Sequence, residues 1–437
     1  MIEVTEEPLA AWVESQRWFG AKSREVAHFT VLESVTFRED VPQLVTAFVE
    51  VRFAAGTHEI YQVPLGRRPT DQGWTDGVVE ERDGWTVYDA LRDPELALAL
   101  HASIRAGDEK WGFHAVRELP VAHRVRAVGV EQSNSSLVFD ETTVLKLYRR
   151  IGPGENPELE LLRFLTAHGF QHIAPLAGWY EIAGRTMDAT LGVLQDFVPG
   201  GQDGWALALQ DLPGFLPRVE ELGTVTGEMH SALGSDAMDP DFAPEQPSVE
   251  SLALLTATID EEIERIFLEL PDDEVLGPIA HRGEEVRERL RGLGSVAAAG
   301  RVIRHHGDLH LGQVLLGPRG WVVLDFEGEP ARSLTERRRK RSPLRDVAGM
   351  LRSFAYAEAA TPGAEGWGSA ARERFLPAYF EAVDAALLPP SQSATEQLLA
   401  IFELEKAVYE LRYELDHRPD WAPIPVAAIV ALLEVEA

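Results

Sequence analysis

Residues 306–329 read H-G-D-L-H-L-G-Q-V-L-L-G-P-R-G-W-V-V-L-D-F-E-G-E. Asp308 is followed five residues later by Gln313. A short apolar run, Val314 to Leu316, precedes a turn at Gly317-Pro318-Arg319-Gly320. A second run, Trp321 to Leu324, ends in Asp325-Phe326-Glu327. Two β-rich runs around a Gly/Pro turn predict a hairpin. A hairpin folds the chain back on itself, so Asp325 is expected within reach of Gln313 and Asp308.

Phosphoryl transfer needs this arrangement. One carboxylate accepts a hydroxyl proton, and oxygen ligands beyond it hold Mg²⁺ against the nucleotide phosphates. Protein kinases place these groups as D-x-x-x-x-N and then D-F-G. The same spacing here gives Asp308 as base and Gln313 and Asp325 as metal ligands. A Gln carbonyl replaces that of Asn, and Mg²⁺ prefers oxygen. The alternative is a polar turn before an ordinary hairpin.

At 437 residues the chain exceeds one ordinary core, so two or three subdomains are expected. A hydrophobic content of 45% suits a globular interior rather than a membrane protein. The net charge of −30 disfavours nucleic acid and anionic lipid as partners. It also means that any nucleotide site needs local cations. No cysteine is present, which excludes disulfides and thiol chemistry. The start, MIEVTEEPLAAW, has no basic segment and no long apolar core, so no secretory signal is expected. Apolar stretches such as Pro425 to Val435 are too short to span a bilayer. These features predict a soluble cytoplasmic protein.

Upstream, Leu9 to Trp18 has helical spacing, and Val26 to Gly66 reads as strands. Arg67 to Trp85 predicts loop and short strands, and Val87 to Arg105 a helix with a break or new start at Asp93-Pro94. Trp18, Trp74 and Trp85 are expected in core rather than on a ligand surface. Trp111 to Phe139 returns to strands. The small polar run Ser133 to Ser136 is expected at a hairpin tip, where backbone N–H groups could approach phosphates. Ser133 and Ser135 are the nucleotide candidates there. Lys146 stands among apolar neighbours in the strand T-V-L-K-L-Y. A helix follows, with Asn156 as N-cap and Pro157 at its first position. Strand lysine and helix glutamate form the phosphate-holding pair of kinases. Glu160 is preferred here over Glu158. The strand L-G-V-L-Q-D-F-V runs into Pro199-Gly200-Gly201, a connector between lobes. Gln195, Phe197 and Val198 are its adenine-binding candidates. From Trp205 the chain reads as helical, with amphipathic runs at Leu222–Leu233, Ser248–Leu270, Glu284–Ala299 and Gln397–Leu415. The basic cluster E-R-R-R-K-R at 336–341 is expected as a solvated loop. Asp346 is expected to stabilise a helix N-terminus.

H-G-D-L-H-L-G-Q with D-F-E-G-E-P and S-P-L-R-D-V-A-G resembles the aminoglycoside phosphotransferase-like kinases, and among them the bacterial maltokinases and related glucosamine kinases. Q-R-W-F-G, E-Q-S-N-S-S, K-L-Y-R-R, N-P-E-L-E-L and E-K-A-V-Y-E-L-R-Y-E-L-D-H-R-P-D-W extend the resemblance over nearly the whole chain. It implies an α+β, two-lobed protein-kinase-like fold. The cap domain would span 1–108, the nucleotide-binding lobe 109–198 and the helical lobe 199–437. It implies ATP and Mg²⁺, and a sugar in the helical lobe beside Asp308 and His310. The resemblance keeps Asp308 as base, Gln313 and Asp325 on the metal, and Lys146 with Glu160 on the phosphates. His306 without an arginine before Asp308, and D-F-E in place of D-F-G, suit a small-molecule kinase. A non-catalytic nucleotide-binding module is the reading from another class.

Two acceptors remain, glucosamine and maltose. Glu410 and Glu414 share a helix face, with Asp416, Arg418 and Trp421 next along the chain. Carboxylates hold an ammonium, and an aromatic wall adds a cation–π surface. This pattern predicts glucosamine, with maltose as the second candidate.

Overall fold

The computed structural model describes residues 5–22, 24–108, 112–129, 133–184, 187–293, 299–330 and 332–434. Its chain forms two compact units, Met1–Thr166 with Ala174–Pro199, and Ala167–Ile173 with Gly200–Ala437. No helix of the described residues is long and apolar enough to cross a membrane.

The first unit opens with helix α1 (Glu6–Ser15) and strands β1 (Val26–Arg38), β2 (Gln43–Phe53) and β3 (His58–Pro69). Strands β4 (Val78–Arg82) and β5 (Trp85–Asp89) complete an antiparallel sheet in the order β1-β2-β3-β5-β4. Alternate residues of β2 and β3 share a face by the two-residue period of a strand. Ala47, Val49 and Val51 thus join Tyr61, Val63 and Leu65 in a core that also takes Leu9 and Val13 of α1. Trp18 is buried there, as expected, whereas Trp74 and Trp85 lie half-buried near Arg68 and Arg67. Helix α2 is Pro94–Ala106. Val87 therefore belongs to a strand and not to the helix. Asp93 caps Glu95 N–H at 3.0 Å, and Pro94 supplies the first turn, so the break is the true start.

A second antiparallel sheet follows, built from β6 (Phe113–Ala115), β7 (Val125–Ala127), β8 (Asn134–Phe139), β9 (Thr143–Tyr148), β11 (Leu176–Ala183) and β12 (Asp188–Asp196). Its order is β6-β11-β12-β9-β8-β7. The two-residue β10 (Arg150–Ile151) leaves this sheet and pairs with β3 of the first. Helix α3 (Pro157–Ala167) begins where Asn156 Oδ1 accepts from Glu158 N–H at 2.8 Å. Gly192 lets β12 lie close to β9, since a Cβ there would meet the Lys146 carbonyl at 2.7 Å.

The second unit is mostly helical: α4 (Gly204–Gln210), α5 (Leu212–Leu233), α6 (Val249–Glu269), α7 (Gly283–Leu293), α8 (Leu334–Arg337), α9 (Leu344–Ala359), α10 (Trp367–Ala382), α11 (Gln392–His417) and α12 (Pro423–Glu434). Residues 294–298, the expected continuation of α7, lie outside the described residues. The predicted hairpin is present as β14 (Val314–Gly317) and β15 (Gly320–Val323), and β13 (Gln202–Asp203) adds to its edge. The basic cluster is not a solvated loop. Lys340 Nζ donates to the carbonyls of Pro240 and Ala243 and pairs with Glu245, with only 9% of its side chain exposed. Arg337 donates to the carbonyls of Arg332 and Pro330. Backbone oxygens and the carboxylates of Glu245 and Glu327 surround these two cations.

Candidate functional site

The candidate side chains fall into two groups, one in each unit. In the first, Lys146 projects from β9 with its Nζ 2.8 Å from Glu158 Oε2. Tyr148 O–H donates to the same oxygen at 2.7 Å. The structure thus corrects the expected partner from Glu160 to Glu158. The cap at Asn156 sets the helical phase, and residues two apart on a helix point about 200° apart. Asn156 is itself anchored, its N–H donating to Thr190 Oγ1 at 3.0 Å.

The run Ser133–Ser136 is also placed differently. Asn134 to Ser136 already belong to β8, with Ser135 opposite Leu147 and Ser136 opposite Lys146. Ser133 is an exposed bend, and Val130 to Gln132 of the motif lie outside the described residues. Ser135 Oγ accepts from Arg149 Nε at 2.8 Å. At the expected connector, Gln195 pairs with Val144 at the end of β12. The amides of Asp196 and Phe197 donate to the carbonyls of Pro175 and Thr142 at 3.0 and 2.9 Å. The N–H of Phe197 is therefore already engaged within the sheet. Val198 follows it on the chain.

In the second unit the hairpin brings Asp325 to Gln313, as expected. Leu324 N–H donates to the Gln313 carbonyl at 2.9 Å. Gln313 Nε2 donates to Asp325 Oδ2 at 3.0 Å. Asp325 sits at φ 61°, a left-handed conformation that costs a non-glycine residue about 1–3 kcal/mol and clusters at functional sites. Glu327 was not singled out by the sequence reading. Its carboxylate oxygen lies within 4.8 Å of that of Asp325.

The loop carrying Asp308 is held from below. Asp346, fully buried at the start of α9, accepts from His306 N–H and Gly307 N–H, each at 2.8 Å. His230 of α5 stands 3.1 Å from the same carboxylate, with Tyr379 O–H 3.0 Å from its other ring nitrogen. Burial opposes ionisation of Asp346, but the histidines around it outweigh burial and hold the carboxyl well below its usual range. Its expected part as a helix-dipole charge understates this: it fixes the two residues before Asp308. Gly307 has φ 88°, and a Cβ there would stand 3.2 Å from Gly328, so the loop needs glycine. His306 Nε2 meets the Leu324 carbonyl at 2.8 Å, tying the loop to the second strand. His310 Nδ1 accepts from Gly312 N–H at 3.0 Å. Burial keeps the ring below its ordinary pKa despite the Asp308 carboxylate.

Lys406 of α11 also carries no signal in the sequence that would place it here. Its Nζ lies 3.2 Å from Asp308 Oδ1 and 3.2 Å from Glu329 Oε1. Burial works against the ammonium, yet Asp308 and Glu329 outweigh it and keep Lys406 above its ordinary pKa. Glu329 also pairs with Arg332 at 2.6 Å, and Arg345 pairs with Glu405 at 3.0 Å. These residues wall a cavity at Asp308, together with Glu262, Phe402 and Tyr409. The wall holds five carboxylates, Glu262, Asp308, Glu329, Asp346 and Glu405, against three cations, Arg332, Arg345 and Lys406. Its formal balance is therefore negative.

The residues expected on the ammonium have partners of their own. Glu410, Glu414, Asp416, Arg418 and Trp421 do not line this cavity. Glu410 pairs with Arg352 at 2.8 Å. Glu414 accepts from Tyr356 O–H at 3.0 Å and pairs with Arg418 at 2.7 Å. Trp421 stacks on Tyr356, and Asp416 is exposed. Glu410 and Glu414 do share a face, but α9 neutralises Glu410 with arginine. Glu262, Glu329 and Glu405 line the cavity at Asp308, and Glu410 adds its charge to those acting on Lys406.

Residues 12–93 match the maltokinase N-terminal cap domain family. The chain is 29% identical over 334 residues to a glucosamine kinase of Mycolicibacterium smegmatis, covering 71% of this chain and 79% of that protein. It is 27% identical over 333 residues to the glucosamine kinase of Streptacidiphilus jiangxiensis, covering 70% and 73%. A solved glucosamine kinase in complex with glucosamine, ADP and inorganic phosphate superposes with a TM-score of 0.72 at 22% identity, over 99% of this chain and 100% of that one. Another crystal form of glucosamine kinase gives 0.70 at 21% identity, over 100% of both chains. The two-lobed α+β kinase fold with an N-terminal cap is thus the fold of this chain.

Proposed function

We propose that this protein is an ATP-dependent sugar kinase that transfers the γ-phosphoryl group to the 6-hydroxyl of glucosamine. The carrying observation is the acid-rich cavity at Asp308, on a chain similar over most of its length to glucosamine kinases. An ammonium entering a wall with more carboxylates than cations gains charge-assisted hydrogen bonds that a neutral sugar cannot make.

Asp308 is the base in this reading. It accepts the proton of the acceptor hydroxyl as the O–P bond forms, and the leaving bond to ADP breaks. Asp346 and Gly307 hold the backbone before it, and Lys406 orients its carboxylate. Lys146, kept in place by Glu158 and Tyr148, would meet phosphate oxygens. The oxygens of Gln313, Asp325 and Glu327 are the hard donors that Mg²⁺ prefers, and the constrained backbone of Asp325 suits a ligand role. Bound there, Mg²⁺ would neutralise charge on the transferring phosphates.

The cap-domain match favours maltose as a second reading. The test compares kcat/KM for glucosamine, glucose, N-acetylglucosamine and maltose with one enzyme preparation. Glucosamine is expected to lead. Preference for maltose, or equal use of glucose and glucosamine, would overturn ammonium recognition. No sugar-stimulated turnover at all would favour a nucleotide-binding module.

A further inference from the structure

Arg149 follows the Lys146 strand directly and is almost fully buried, 2% exposed. Its guanidinium faces two ways. One Nη is 3.3 Å from Asp89 Oδ2, at the end of β5 in the cap sheet. Nε donates at 2.8 Å to Ser135 Oγ in β8. The Trp18 ring stands against it, 4.8 Å from ring centroid to guanidinium carbon. Its remaining nitrogen, Nη1, is buried without a hydrogen-bond partner. A buried charge with few acceptors depends strongly on each of them. The backbone reinforces the junction: Gln62 N–H donates to the Arg149 carbonyl at 2.9 Å, and Arg150 and Ile151 pair with Tyr61 and Ile60. Both Asp89 and Trp18 fall inside the region matching the cap family.

We propose that Arg149 is a positioning residue through which the N-terminal cap sets the nucleotide-binding strands. Asp89 and Trp18 fix the guanidinium, and the guanidinium fixes Ser135 one ladder position from Ser136, the partner of Lys146. The cap thereby acts on nucleotide affinity and not on the sugar. This inference rests on the kinase reading above and gives the cap a role within it.

The test is a double-mutant cycle on the full chain, with ATP·Mg²⁺ affinity read by calorimetry and KM for glucosamine read in parallel. Asp89→Asn keeps the shape and removes the charge. It is expected to weaken ATP binding roughly three- to tenfold while leaving KM for glucosamine unchanged. In a Ser135→Ala background the same change is expected to have less than a twofold effect, because the link is already cut. Arg149→Lys, which keeps the charge but loses the fork, replaces Asp89→Asn in the cycle if that variant does not fold. Unchanged ATP affinity in a folded variant, additive effects in the cycle, or an equal rise in both KM values would overturn the proposal. Wild-type protein that fails to bind ATP·Mg²⁺ would instead overturn the kinase reading itself.

Discussion

Removing the Asp308 carboxylate while keeping its shape tests the base proposed above. Asp308→Asn is expected to lower kcat by roughly 10²–10⁴ and to leave ATP binding intact, since the proposed role of the lost group is on the acceptor hydroxyl. Single-turnover kinetics beside calorimetry would show this, and near-native kcat would place the base elsewhere. Lys406 makes a different prediction. Its ammonium lies 3.2 Å from the Asp308 carboxylate and so holds that carboxylate in one orientation. In Lys406→Met kcat is expected to fall roughly tenfold or more with ATP affinity unchanged, because the carboxylate loses the partner that orients it. Unchanged kcat in the folded variant would leave Lys406 as a packing residue only. Neither Lys406 nor Glu329 was legible as part of the site. A lysine among the acids of α11 looks like any solvated helix charge, and only the tertiary fold carries it to Asp308.

Elements were legible where their signals are local. The hairpin of β14 and β15 follows from its Gly/Pro turn, and the start of α3 follows from Asn156-Pro157. The choice between Glu158 and Glu160 was not local. Both are buried, and only the phase of α3 against β9 decides which meets Lys146. The strand at Val87 was misread for a related reason: β5 runs into Asp89 with a helical turn and α2 close behind, so apolar spacing continues across the boundary. The cap of α3 gives a test at this scale. Asn156→Ala removes the acceptor of Glu158 N–H, at a cost of about 1 kcal/mol. It is expected to lower the Tm by roughly 2–4 °C and to weaken ATP binding, because Glu158 no longer enters the pair at a fixed angle. Calorimetry with ATP after a thermal scan would separate the effects. A lower Tm with unchanged affinity would mean that the pair tolerates a frayed helix.

At the scale of the whole molecule, stability should fall on acidification well above the range where ordinary carboxylates titrate. His305 is buried, and burial pushes its pKa down to about 3. Burial likewise lowers His101, with Arg105 adding to the effect, to about 4. Unfolded, both histidines take a proton near pH 6.5. Between pH 6.5 and 4 the unfolded chain thus binds protons that the folded chain does not, so stability falls as pH falls. Glu329 adds a second step. Burial opposes its ionisation, but Lys406, Arg332 and Arg345 outweigh burial and hold its pKa at about 2. Its folded pKa is depressed, so its contribution is present above about pH 4.5 and is lost as pH falls toward 2. The protein's net charge of −30 works the other way, since acidification relieves self-repulsion. A single variant separates these terms, because repulsion is common to both proteins. One such histidine contributes a slope of about 1.4 kcal/mol per pH unit across its window. His305→Phe fills the buried site without a titrating group. It is expected to flatten the fall in unfolding midpoint between pH 6.5 and 5 while leaving the loss below pH 4.5, where Glu329 still titrates. Urea titrations at half-unit pH steps for both proteins would measure this. Parallel curves over pH 6.5 to 5 would show that His305 is protonated in the folded protein and that its burial does not govern acid stability.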